Sequence, residues 1–182
     1  LLNQCAASVF GLRKLDVPYL GQYGACSTMA QTIATASVFV ESGAAQRGLA
    51  VTSSHFCSAE RQFRLPLEYG GQRTPTAQWT ATASGAVILS AEPPAGAVRA
   101  VAVREATFGR MVGPGVTDAR NMGAAMAPAA CRTLVNYFAD TGLTPEAFDL
   151  ILTGDLGAVG SDLLRELTLR EGYDIASVHN DG

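Results

Sequence analysis

Cys26 lies within "YLGQYGACSTMAQTIATASVFV" (residues 19–40), where an apolar stretch ends at Gly24 and Ala25 and a run of helical length begins. A thiol at a helix N-terminus faces unpaired backbone N–H groups and the positive end of the helix dipole. Both favour the thiolate, the form that acts as a nucleophile. Cysteine is also small and apolar, so the same position suits plain packing. Pattern alone leaves both readings open.

Two further stretches place reactive residue types at strand ends. His55 and Cys57 follow "GLAVTSS", in the position where α/β proteins present residues to ligands. His-x-Cys has no neighbours that complete a zinc-like ligand set, so no metal is expected. Glu60, Arg61, Arg64 and Arg73 are ordinary solvated charges by default, although paired guanidinium forks also match a carboxylate ligand. "LTGDLGAVGSDLL" carries Gly154, Gly157 and Gly160 between a strand and a helix. That spacing fits neither the dinucleotide fingerprint nor the Walker loop, and no Lys-Ser/Thr follows, which argues against a nucleotide cofactor. Asp155 is either a helix cap or a polar group aimed at a pocket, and spacing does not separate the two.

The elements that must position these residues alternate. Residues 2–15 read as a helix and "VPYLGQY" as a short strand. The helix from Ser27 to Ser42 is small and weakly polar on every face, which predicts burial against several neighbours, with Gly43 closing it. "GLAVTSS", "TATASGAVILS" and "VRAVAVREATFG" read as strands, and a glycine-rich connection leads to a helix from about Met122 to Asp140, with Pro128 near its start. Thr144 and Pro145 mark the N-cap and first position of a short helix. "FDLILTGDLG" is a buried strand and "GSDLLRELTLREGY" the last helix, so the class is α/β.

The 182 residues suffice for one α/β core and fall short of two full domains. With 48 % hydrophobic and only 16 % charged residues, much of the surface is expected to be covered by something. A net charge of −3 without a Lys or Arg block argues against nucleic acid. No apolar run reaches the roughly 20 residues that span a bilayer. Cys5, Cys26, Cys57 and Cys131 are scattered, and read as reduced thiols rather than a disulfide framework. "LLNQCAASVF" lacks the marks of a signal peptide, and the chain reads as a piece of a longer protein.

Taken together, "YGACSTMAQTIATASVFVESGAAQRGLAVTSS", "TASGAVILS" and "LTPEAFDLILTGDLG" resemble the nucleophile segment, the Gly-Ala strand and the late helix–strand unit of the thiolase superfamily. "VTSSHFCSAERQFRLPLEYGGQRTPTAQWT" and "NMGAAMAPAA" narrow the similarity to stage V sporulation proteins of spore-forming bacteria, over essentially the whole chain. The resemblance implies a layered thiolase-like fold lacking N-terminal and C-terminal parts. Residues 1–91 would be the remainder of the first half, and residues 92–182 part of the second.

In condensing enzymes the strand matching "DLILTGDLG" ends in a histidine, where this chain has Thr153, Gly154 and Asp155. His179 matches no catalytic motif of the superfamily. A thiol without its acid–base partners is a poor acyl-transfer catalyst. The resemblance therefore implies a non-catalytic relative that keeps Cys26 as a pocket wall, facing a cavity with Gly154 and Asp155 across it. The implied ligand is dipicolinic acid, contacted by Cys26, Ser27, His55, Thr153, Gly154 and Asp155. The implied setting is peripheral, on the cytoplasmic side of the forespore or spore inner membrane, with membrane proteins of the same operon as partners and a homodimer by analogy. Whether calcium accompanies the ligand stays open. The competing expectations are an active acyltransferase or hydrolase using Cys26, with His55 as its base, and a structural subunit with a closed pocket.

Overall fold

A computed structural model describes residues 5–54, 72, 74–78 and 81–182, and the side chains from residue 8 onward within that set. The chain divides into two compact units, residues 1–62 with 81–106 and residues 63–80 with 107–182.

The first unit contains α1 (Cys5–Leu12), which runs into a 3₁₀ turn at Arg13–Leu15, then α2 (Thr28–Glu41), β1 (Arg47–Ser53) and β2 (Ser84–Ser90). β1 and β2 pair antiparallel from Arg47↔Ser90 to Ser53↔Ser84. α2 lies on this sheet at close range: a Cβ added to Gly48 would stand 2.9 Å from Ala36 Cβ. Ala50, on the same face as Gly48, is buried. Small residues on both elements permit this approach. Gly43, at φ +74°, follows the end of α2 as the sequence anticipates.

The expectation that α2 is buried all round does not hold. Only Ala34 and Val40 are buried, while Val38 and Phe39 are exposed, because β1 and β2 pack on one face of the helix. On the sheet, Leu49 and Ile88 pair directly and point away from α2, and both are exposed. The stretches "VPYLGQY" and "VRAVAVREATFG" form no strand. A strand exists only as half of a ladder, and neither stretch finds a partner among the described residues. Val98 and Val101 are 98 % and 100 % exposed.

The second unit holds α3 (Met122–Thr141), a 3₁₀ turn (Pro145–Ala147), β3 (Ile151–Leu152), α4 (Gly157–Arg170) and β4 (His179–Asn180). Asn121 caps α3 through its Oδ1, which accepts from Ala124 N at 3.2 Å. Gly142, at φ +71°, ends the helix. Pro128 sits inside α3, in its N-terminal half. Thr144 precedes Pro145 as expected, but its side chain makes no backbone cap. β3 and β4 run parallel, Ile151 beside His179 and Leu152 beside Asn180, with α4 as the crossover. The sequence reading missed β4.

The core of this unit gathers Ala127, Cys131 and Phe138 of α3 with Leu156, Leu164 and Ile175. Phe138 stacks at a tilt on Tyr173, with ring centroids 4.8 Å apart. Burying side chains such as Phe138, Leu164 and Ile175 contributes about 1.5–3 kcal/mol each. The α3–α4 crossing needs glycine on both sides. A Cβ on Gly160 would stand 2.7 Å from Gly123 Cα, and one on Gly123 would run into the Leu156 carbonyl oxygen.

Candidate functional site

Two groups of candidate residues take definite positions, one in each unit. In the first unit, Ala25, Cys26 and Ser27 form a 3₁₀ turn that leads directly into α2. Ser27 Oγ donates to Gly24 O at 2.8 Å, and Thr28 Oγ1 donates to Ala25 O at 2.8 Å, so both hydroxyls brace the turn. Ala25 has φ +55°, a left-handed conformation that costs a residue with a Cβ about 1–2 kcal/mol. Gly24 is also constrained, since a Cβ there would lie 2.5 Å from Gln31 Oε1. Cys26 thus occupies the helix-terminal position that the sequence indicates. Its side chain is exposed, and no acidic residue stands in the first turn of α2.

In the second unit the carboxyl end of β3 carries Thr153, Gly154 and Asp155, directly ahead of α4. The question left open for Asp155 resolves into both roles: its Oδ1 accepts from Gly157 N at 2.9 Å, and the residue lines a cleft. That cleft has a volume of about 510 Å³ and is bordered by Thr74, Pro75, Ala77, Asp155, Gly157 and Asp181, among others. Gln78 Nε2 donates to Asp155 O, and Val159 N donates to Pro75 O at 3.5 Å, fastening the 74–78 segment over the start of α4. Gly157, at φ +70°, leaves room for it: a Cβ would be 3.2 Å from Ala77 O. Of the glycines of "GDLGAVG", Gly157 therefore serves a left-handed helix entry and Gly160 a helix crossing, while a Cβ on Gly154 would meet nothing within 4 Å.

Sequence reasoning missed the groups that β4 brings to this strand end. Buried His179 lies beside Thr153, with Nε2 3.1 Å from Thr153 Oγ1. Arg165 of α4 donates from Nε to His179 Nδ1 at 3.2 Å and from Nη2 to His179 O at 3.3 Å. Because Nδ1 accepts, the neutral ring carries its proton on Nε2 and donates it to Thr153. Thr153 Oγ1 in turn donates to Asp181 Oδ1 at 3.3 Å, and Asp181 Oδ1 also accepts from Leu156 N at 2.8 Å. Burial and the Arg165 charge hold the His179 pKa below its ordinary 6.5, against an opposing pull from Asp181.

The residue types are those of a Thr–His–Asp nucleophile system, but the polarity is reversed. A general base must accept the hydroxyl proton. Here the imidazole donates to the hydroxyl, so Thr153 is not activated. The signal that could have exposed this cluster is the parallel crossover itself: a strand after α4 must return beside β3, and "SVHND" is the short stretch able to do so.

Among the described residues no group of three or more His, Cys, Asp or Glu could hold a metal ion, and no helix is long and apolar enough to cross a membrane. His55, Cys57, Glu60, Arg61, Arg64 and Arg73 lie outside the described residues. The structure thus brings Cys26 together with Ser27, and Thr153 with Gly154 and Asp155, in separate units.

Comparison with known proteins then places the sequence. The family model for stage V sporulation protein AD matches residues 1–182. A curated stage V sporulation protein AD from Bacillus subtilis (strain 168) is 45 % identical over 181 residues, which is 100 % of this chain and 52 % of the relative. The chain spans about half the length of that relative.

Proposed function

The chain belongs to the stage V sporulation protein AD family, and from that premise we propose that it is part of a non-catalytic, thiolase-like protein that binds dipicolinic acid. A role in sporulation accompanies the family. In the proposal, the full protein sits peripherally on the cytoplasmic side of the forespore or spore inner membrane. There it works with the SpoVA membrane proteins in dipicolinate uptake during sporulation and release in germination.

The observation that carries the non-catalytic half is the end of β3. Where the matching strand of condensing enzymes ends in a histidine, this chain has the stretch Thr153, Gly154 and Asp155, and the Thr153 hydroxyl is tied to His179 at 3.1 Å and Asp181 at 3.3 Å. The imidazole nearest that strand end spends its one N–H on Thr153 and its lone pair on Arg165, leaving neither for a substrate. Losing a general base typically costs about 10²–10⁴-fold in rate, whereas ligand binding has no such requirement. The exposed turn at Cys26 and Ser27 supplies a helix N-terminus suited to a carboxylate.

A second reading is favoured by one feature. The left-handed Ala25 stores strain beside an exposed thiol, a pattern that belongs to reactive turns. One experiment separates the two. Full-length protein is titrated calorimetrically with dipicolinate, then incubated with acetyl-CoA or malonyl-CoA and analysed by mass spectrometry. Saturable dipicolinate binding without an acyl adduct is the expected result. A stoichiometric acyl-Cys26 adduct that turns over makes the protein an acyltransferase, and absence of dipicolinate binding removes the proposed ligand.

A further inference from the structure

We propose that His179 is a proton-sensitive latch: while neutral it ties β4 to α4 and β3, and on protonation it loosens the 179–181 segment from them, together with the Asp181 carboxylate that caps α4 and lines the cleft. The inference rests on hydrogen-bond direction and is independent of the ligand proposed above.

Every hydrogen in the chain of bonds points the same way. Arg165 Nε donates to His179 Nδ1 at 3.2 Å, His179 Nε2 to Thr153 Oγ1 at 3.1 Å, and Thr153 Oγ1 to Asp181 Oδ1 at 3.3 Å. Asp181 has no proton to pass on and closes the chain by accepting from Leu156 N at 2.8 Å. A proton taken from solvent has one lone pair to occupy, that of Nδ1. Once it is there, two N–H donors and two positive charges face each other across the former bond. Arg165 has an alternative partner in Asp162 on its own helix, at 3.7 Å, and turning toward it also forfeits the Nη2 bond to His179 O. Besides the latch, backbone bonds from Ile151 N to Val178 O at 2.8 Å and from Thr153 N to Asn180 O at 3.3 Å hold β4 on β3, and the second of these adjoins the His179–Thr153 contact.

The groups around the imidazole are few. α4 presents Arg165 with its partner Asp162, β4 continues into Asp181, and the end of β3 presents Thr153 and Asp155, the latter engaged with Gly157 N. α3 contributes Ala127, Phe138 and the Cys131 thiol to the adjoining core, and burial keeps that thiol protonated by raising its pKa. The direction follows from linkage. A histidine whose folded pKa is depressed binds fewer protons folded than unfolded, so the latch is fully set above about pH 6.5. It weakens by up to tenfold per pH unit as the pH falls toward the folded value.

The test is nuclear magnetic resonance on the whole chain with labelled histidine, from pH 8 to 4.5. His179 is expected as the Nε2–H tautomer with a midpoint below 6.5. The Leu156 amide, held by Asp181, and the Thr153 amide, bonded to Asn180 O at 3.3 Å, should lose exchange protection along that same midpoint. The Leu164 amide in the core should keep its protection. In His179→Gln the step between pH 7.5 and 5.5 should disappear, and in Arg165→Gln the His179 midpoint should rise. An Nδ1–H tautomer, a midpoint at or above 6.5, or a His179→Gln protein that keeps the wild-type step would each overturn the latch.

Discussion

Replacing Gly160 by alanine should destabilise the second unit, although the same change inside a helix ordinarily helps. Alanine gains about 1 kcal/mol over glycine in a helix interior because less backbone entropy is lost on folding. At position 160 the new Cβ would meet Gly123 Cα at 2.7 Å, Leu156 Cβ at 3.0 Å and Gly123 C at 3.1 Å. Carbon pairs settle at about 3.5–4.0 Å, so α3 and α4 would have to part by roughly 1 Å. Two of the three obstructing atoms belong to backbone and cannot rotate away. The separation loosens Phe138, Leu164 and Ile175, which the crossing packs together. Overpacking of this kind costs about 1–3 kcal/mol, so the net loss should reach up to about 2 kcal/mol after the helix gain. Urea unfolding reads it as a lower midpoint at unchanged slope, and exchange of the Phe138 and Leu164 amides localises it. Gly11→Ala in α1 is the control, since nothing lies within 4 Å of its added Cβ. That variant should be neutral or slightly more stable. A Gly160→Ala protein as stable as wild type would refute the reasoning.

Ala25→Gly relieves the left-handed φ of +55° and should stabilise the first unit by up to about 1 kcal/mol; a lower urea midpoint would show that the turn is held by contacts rather than strained. Asp181→Ala removes the acceptor of Leu156 N and of Thr153 Oγ1, and should cost about 0.5–2 kcal/mol. Asp181→Asn keeps an acceptor oxygen and should cost less, so equal losses in thermal melts would discount the cap. Iodoacetamide at pH 8 should alkylate exposed Cys26 rapidly and leave Cys131 untouched, because burial first and Glu171 second raise the Cys131 pKa. Peptide mapping by mass spectrometry checks the order, and labelling of Cys131 in folded protein at the Cys26 rate would contradict the packing of α3.

What could be read from the sequence was local. The helix starting beyond Cys26, its glycine stop at Gly43, and the strands at residues 47–53 and 84–90 follow from capping chemistry and apolar runs, which depend on near neighbours in the chain. "VPYLGQY" and "VRAVAVREATFG" have strand composition too, yet composition cannot supply the partner strand that a ladder requires. The site shows the same division. Asp155 was visible as a residue at a strand end, but its double role required the position of Gly157 N and the 74–78 segment. His179 matches no catalytic motif in the sequence. Its neighbours Thr153 and Arg165 are 26 and 14 residues away and meet it only through the crossover.

The carboxylates at the end of β3 also constrain where an anionic ligand can bind. An N-terminal helix turn attracts a dianion through its N–H groups. In α4 the Leu156 and Gly157 amides already donate to Asp181 and Asp155, at 2.8 and 2.9 Å. A ligand carboxylate arriving there would have to displace both, and at about 4 Å from either it would meet a like charge worth about 4 kcal/mol at an effective dielectric of 20. The turn before α2 carries no carboxylate of that kind among the described residues: no acidic residue lies in the first turn of α2, although the Ser27 and Thr28 amides donate within the turn to Gly24 O and Ala25 O. On the proposed reading, a ligand carboxylate is therefore assigned to the turn that carries Cys26 rather than to the start of α4. On that reading the position that holds the nucleophile in the enzymes becomes the anion-binding end, because the amides at the start of α4 are already occupied by the chain's own carboxylates.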